Sequence, residues 1–309
     1  MPFRPRHPSA PALLAAAVGL AGLCVTGLIA LISPGAQARD ALTLQGFADL
    51  SRPRVAPWAN LIAHSVDAKP FLLLALAFST VAVLRGRPRI ALAAATAMFG
   101  AVASSELLKS LLAHPRNSGG LESFQVPGAS WPSGHATAAM AITLAAILVA
   151  PRRLRSLVAA AGTALTVAVS YSILMLHWHF PSDVLGGYLV AATWMALVVA
   201  GLRAAQARWP APSGRQVGRR AVLRAGELLA PVGLITTGAA VLTGILLVHP
   251  GSVASFSAGH RSFLIGALAI AALAWALPTA TALLLGGRAV RVLPRHRSRL
   301  DRARTGSGL

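Results

Sequence analysis

Long apolar runs, each closed by a short polar or basic cluster, are the dominant pattern of this chain. A helix that crosses a bilayer needs about 20 mostly apolar residues. Eight stretches meet or approach that length: 11–32, 70–84, 90–108, 136–150, 157–176, 184–202, 228–248 and 263–285. The second and fourth are short as written and are expected to extend into flanking polar residues. Residues 60–68, after Pro57-Trp58, read as a short interfacial helix. Between Arg203 and Arg224 the run Trp209-Pro210-Ala211-Pro212-Ser213-Gly214 is a linker signal. The pattern predicts an all-α polytopic membrane helix bundle of about eight spans. Six form a core over residues 1–203, followed by a linker over 204–225, a C-terminal two-helix hairpin over 226–287 and a basic tail over 288–309.

Composition agrees with that reading. Hydrophobic residues make up 55% of the chain and charged residues only 12%, against about 25% charged in soluble domains. All of the 28 basic residues except Lys69 and Lys109 are Arg. Abundant Ala and Arg with so little Lys is the codon signature of a GC-rich genome and carries little about function. The net charge of +20 would suit nucleic acid, but it is concentrated in short loops and the tail, as in membrane proteins. No nucleic-acid partner is expected. The single Cys24 rules out an intrachain disulfide and a Cys-based metal site.

The loops also orient the bundle. With both termini cytoplasmic, the Arg residues of 4–6, 85–89, 152–155, 203–224 and 288–304 all fall inside. Only Arg39, Arg52, Arg54, Lys69, Lys109, Arg116 and Arg261 remain outside, which follows the positive-inside rule. Ala36-Gln37-Ala38 after the first apolar run resembles a signal-peptide cleavage site. The run is longer than a signal core, which favours an uncleaved helix. Cleavage would leave the other spans oriented as before.

Three polar clusters then share the extracytoplasmic face: Lys109 to Arg116, Pro132-Ser133-Gly134-His135, and His179-Phe180-Pro181-Ser182-Asp183. The second sits where a loop becomes a helix, so unpaired N–H groups and the positive dipole end can receive an anion. Ser133 adds a hydroxyl, and Gly134 lets an oxyanion approach the backbone. The plainer alternative is an N-cap by Ser133 with a solvated His135. In the third cluster Pro181 breaks any helix through both His179 and Asp183. A turn followed by a helix from about Ser182 would let the Asp183 carboxylate reach His179, the arrangement that activates a nucleophile. A capping Asp and an interfacial His are the alternative, and chemistry alone does not choose between His177 and His179. Lys109 and Arg116 offer charge for a phosphate or snorkel to the interface. Glu106, an acid inside an apolar span, is expected to pair with Lys109 at i, i+3.

These residues resemble the type 2 phosphatidic acid phosphatase family of membrane lipid phosphatases. The family pattern is Lys-x6-Arg-Pro, Pro-Ser-Gly-His and Ser-Arg-x5-His-x3-Asp. The chain has Lys109, six residues and Arg116, with Asn117 in place of Pro. It has Pro132 to His135 intact, then Ser172, Ile173, five residues, His179, three residues and Asp183. The resemblance covers Lys109 to Gly187 and leaves the last two spans outside. It implies that His179 attacks phosphorus to form a phospho-histidine, with Asp183 orienting it. It implies that His135 protonates the leaving oxygen and later activates water. Lys109, Arg116, Ser133 and the Gly134 N–H would hold the phosphate oxygens. No metal and no cofactor are implied.

One family phosphate ligand is missing, since Ile173 stands where the third motif has Arg. His177, His114, Arg54 and Arg52 are candidate replacements. The expected activity is hydrolysis of a phosphorylated lipid, first a polyprenyl phosphate or diphosphate and next a phosphatidic acid type, at the outer face of a bacterial plasma membrane. Phosphotransfer to a lipid or sugar alcohol, and a degenerate lipid-binding membrane protein, are the alternatives.

Overall fold

The computed structural model describes residues 9–115, 126–209, 256 and 259–286. Within them nine helices run in chain order: α1 Ala10–Ile32, α2 Pro34–Leu50, α3 Ala56–His64, α4 Ala68–Leu84, α5 Pro88–Leu111, α6 Gly134–Val149, α7 Arg155–Met175, α8 Pro181–Arg208 and α9 Arg261–Gly286. No strand occurs among the described residues. Helices α1, α2, α3, α5 and α8 each start with a proline in the first or second position. The first turn leaves its N–H groups unused, so the missing donor is harmless there and the fixed φ favours the helix.

Helices α1, α5, α8 and α9, together with α7 and the 3-10 turn before it, are long and apolar enough to cross a membrane. The pair α3 and α4, bent by 47°, makes a sixth such unit. The short helix expected over 60–68 is observed as α3, four residues earlier, and it leads into α4. Helix α6 has only 16 residues. It is nonetheless the centre of the bundle, buried along almost its whole length and packed by α5, α7 and α8. Small side chains permit this approach. A Cβ on Gly162 would stand 2.5 Å from Thr143 of α6, and one on Gly187 would stand 2.7 Å from the Ser133 carbonyl oxygen.

Helix α2 has no counterpart among the expected elements. Its composition is mixed, so a search for bilayer-length apolar runs passes over it. Its pattern is helical all the same: Gln37, Ala41, Leu44 and Phe47 recur at a spacing of three or four and are all buried. Pro34 separates it from α1, and Gln37 Nε2 donates to the Ala30 and Leu31 carbonyls at 3.1 Å each. Those bonds satisfy part of the open end of α1.

The basic loops gather at one end of the bundle. Arg85 donates to the Val149 carbonyl (3.3 Å), Arg89 to that of Trp209 (3.2 Å) and Arg155 to that of Leu285 (3.4 Å). Arg203 donates to the Leu284 carbonyl as well. Helix α9 is packed against α2, α7 and α8. Thr163 Oγ1 donates to its Ala274 carbonyl at 3.2 Å and Tyr171 Oη to its Ala267 carbonyl at 2.8 Å. The expected span 228–248, most of the linker and the 288–309 tail lie outside the described residues.

Candidate active site

The end of the bundle opposite the basic loops brings together the last turn of α5, the first turn of α6, the turn before α8 and the junction of α3 with α4. Ser133 is the N-cap of α6 and is fully buried; its Oγ accepts from the Ala136 N–H at 3.3 Å. Its own N–H donates to the Asp183 carbonyl at 2.9 Å. The second and third polar clusters are therefore joined through backbone. The Pro132 carbonyl accepts from Ser105 of α5 at 3.3 Å, tying in a third helix.

The turn before α8 has a defined construction. The His177 N–H donates to the Leu174 carbonyl and the Trp178 N–H to the Ile173 carbonyl, both at 3.0 Å, with His177 at φ 59°. This is a Schellman end to α7, with His177 in the left-handed position that usually goes to glycine. Burial pushes the His177 imidazole below its ordinary pKa, so it is a poor source of positive charge. His179, two residues on, is buried to 8% exposure, and its Nδ1 lies 3.4 Å from Asp183 Oδ2. Asp183 is fully buried in the first turn of α8, and its Oδ2 accepts from the Phe180 N–H at 2.9 Å. The His135 ring, in the first turn of α6, is 6.4 Å from the His179 ring between centroids.

Lys109 Nζ and Glu106 Oε1 are 2.7 Å apart, the expected i, i+3 pair. A Cβ placed on Gly134 would come within 2.9 Å of both. The absence of a side chain at Gly134 is thus what admits the Lys109 ammonium to the N-terminus of α6. Arg116 lies outside the described residues. Among the described residues no three His, Cys, Asp or Glu side chains form a metal-holding group.

Residues 71–207 match the PAP2 superfamily. Its members are phosphatases, which supports a hydrolase role here. The matched span runs from α4 through α8 and includes every motif residue from Lys109 to Asp183. No curated protein and no solved structure matches the chain.

Within the matched span, Ile173 is fully buried in α7. An apolar side chain thus occupies the place of the family Arg. Of the replacements considered, His114, Arg52 and Arg54 are exposed. The structure also brings in residues that motif reasoning missed. Asp67, at the start of α4, contacts His135 Nε2 at 3.2 Å and His64 Nδ1 at 2.8 Å. Asp40 of α2 accepts from the Ser182 N–H at 3.2 Å and from its hydroxyl. Both acids stand in or beside helices that precede the motifs, far from them in sequence. The only signal for Asp67 was an acid just before an apolar run, which reads as a helix cap.

Proposed function

We propose that the chain is a metal-independent lipid phosphatase or diphosphatase working through a phospho-histidine at the extracytoplasmic face of a plasma membrane. The observation that carries this reading is the placement of His179, backed by the buried Asp183, opposite His135 at the N-terminus of α6. With Nδ1 turned to Asp183, His179 presents Nε2 to phosphorus. As that bond forms, the ester bond breaks and the leaving oxygen takes a proton from His135. Water then gives a proton to His135 while its oxygen displaces His179 from phosphorus. Lys109, Arg116, Ser133 and the Gly134 N–H hold the phosphate oxygens as charge builds on them.

A groove between α1, α5 and α8 supports a lipid substrate. Its volume is about 690 Å³, and Leu20, Leu23, Leu28, Leu108 and Trp131 are among its lining residues. Leu108 precedes Lys109 and Trp131 precedes Pro132. A hydrocarbon tail in the groove would bring its headgroup to the polar cluster. A polyprenyl phosphate or diphosphate is the first substrate class, and a phosphatidic acid type the second. Buried Ile173 favours a second reading, a lipid-binding protein whose anion site has decayed.

The test is phosphate release from a panel of polyprenyl and glycerolipid phosphates with chelator present. We expect release by the wild type and its loss, by three orders of magnitude or so, in His179→Ala. Binding of these lipids without turnover, unchanged by the substitution, would establish the second reading instead.

A further inference from the structure

Asp67 is used in an unexpected way. An Asp at a helix N-cap normally accepts from the backbone N–H groups of the first turn. Asp67 is the N-cap of α4, yet its side chain makes no capping bond. Its carboxylate spans two imidazoles instead, Oδ1 to His135 Nε2 at 3.2 Å and Oδ2 to His64 Nδ1 at 2.8 Å. The Trp178 indole lies against both rings, with centroids 5.3 Å from His135 and 5.4 Å from His64. Three residues, from α3, the start of α4 and the turn before α8, gather around one motif histidine of α6. Capping would need only one of them.

We propose that Asp67 is a positioning residue for His135, holding Nε2 as a donor so that Nδ1 is the nitrogen that exchanges the catalytic proton. This rests on the phosphatase reading above. In the imidazolium both nitrogens carry hydrogen. The Nδ1 proton passes to the leaving oxygen as the P–O bond breaks, and the other proton stays on Nε2, donated to Asp67. The neutral ring is then left in the tautomer that can take a proton from water at Nδ1 in the second half-reaction. A carboxylate that fixes the tautomer of a general base acts by the same logic in other hydrolases.

The charges around His135 come from every side. Asp67 favours the imidazolium. Burial opposes it most, His179 and Lys109 oppose it as well, and together they hold the imidazole below its ordinary pKa; Glu106 partly offsets Lys109. His64 holds the second Asp67 oxygen. Removing the carboxylate therefore leaves a ring that gives up its proton at lower pH.

The experiment compares wild type with Asp67→Asn and Asp67→Glu on two monoesters: an alkyl lipid phosphate and 4-nitrophenyl phosphate, whose leaving group needs little protonation. For Asp67→Asn we expect kcat on the lipid phosphate to fall about 10- to 100-fold with KM nearly unchanged. The basic limb of the pH profile should move to lower pH, the loss on the nitrophenyl ester should be smaller, and Asp67→Glu should recover part of the rate. Equal loss on both esters with an unmoved limb would overturn the proposal and leave Asp67 a structural residue. NMR of ¹⁵N-histidine-labelled protein gives a readout independent of turnover. The His135 resonance should titrate at lower pH in Asp67→Asn, and an unmoved titration would overturn the proposal even in an active enzyme. Absence of turnover by the wild type, with the titration shifted, would instead count against the phosphatase reading.

Discussion

At Gly134 a missing methyl group decides how much charge the site can offer. The Lys109 ammonium lies 2.9 Å from where a Cβ would be, and Glu106 holds the same ammonium. The pair is partly exposed, so it is worth well under the energy of a buried ion pair. In the proposed mechanism it still competes with a phosphate for one cation. Neutralising the acid in Glu106→Gln should lower KM for a lipid phosphate about two- to five-fold with kcat nearly unchanged. Gly134→Ala should raise KM by displacing the Lys109 head, the side chain being flexible enough to move without unfolding α6. Steady-state kinetics on the two variants would settle both, and equal KM values would mean that Lys109 does not reach the phosphate. The motif residues were legible in sequence because each is flagged by local spacing: Pro-Ser-Gly-His at a helix start, His-x3-Asp around a proline, Glu-x2-Lys on one helix face. Asp67 and Asp40 were not, because what they touch lies 68 and 142 residues away. Their roles exist only after the bundle closes.

Between residues and bundle stand the elements, and the turn between α7 and α8 aims His179, the proposed nucleophile. With His177 in the left-handed region, the chain reverses within four residues and delivers His179 beside Asp183. The left-handed conformation costs a non-glycine residue about 1–2 kcal/mol, and a β-branched side chain tolerates it least. His177→Gly should keep the turn, while His177→Val should be less stable than His177→Gly by about 1–2 kcal/mol. Reversible denaturation in mixed detergent micelles would measure the difference, and equal stabilities would show that the turn does not depend on this φ. The spans themselves were readable from length and hydropathy, and basic residues marked their ends. Helix α2 was not, since its buried stripe of Gln37, Ala41, Leu44 and Phe47 carries the period of a helix without the apolar length of a span. The bend between α3 and α4 escaped for a similar reason: 47° is a tertiary quantity, set by what the two pieces pack against.

Over the whole molecule, the separation of basic loops from the polar cluster makes sidedness testable. With Cys24→Ser as background, a cysteine at Gly128 should react with a membrane-impermeant maleimide added outside intact cells. One at Arg153 should react only after lysis. The reverse pattern would place the site in the cytoplasm and remove the extracytoplasmic reading while leaving the chemistry intact. The same view of the molecule bears on α9. Its Ala267 and Ala274 carbonyls accept from Tyr171 and Thr163, and Arg155 and Arg203 reach the carbonyls at its far end. The ribosome makes α7 and α8 well before α9 exists. For that interval the two hydroxyls are without the carbonyls they meet in the finished bundle, and an unmet polar group in apolar surroundings is costly. The nascent bundle is therefore unfinished although every motif residue has already been synthesised.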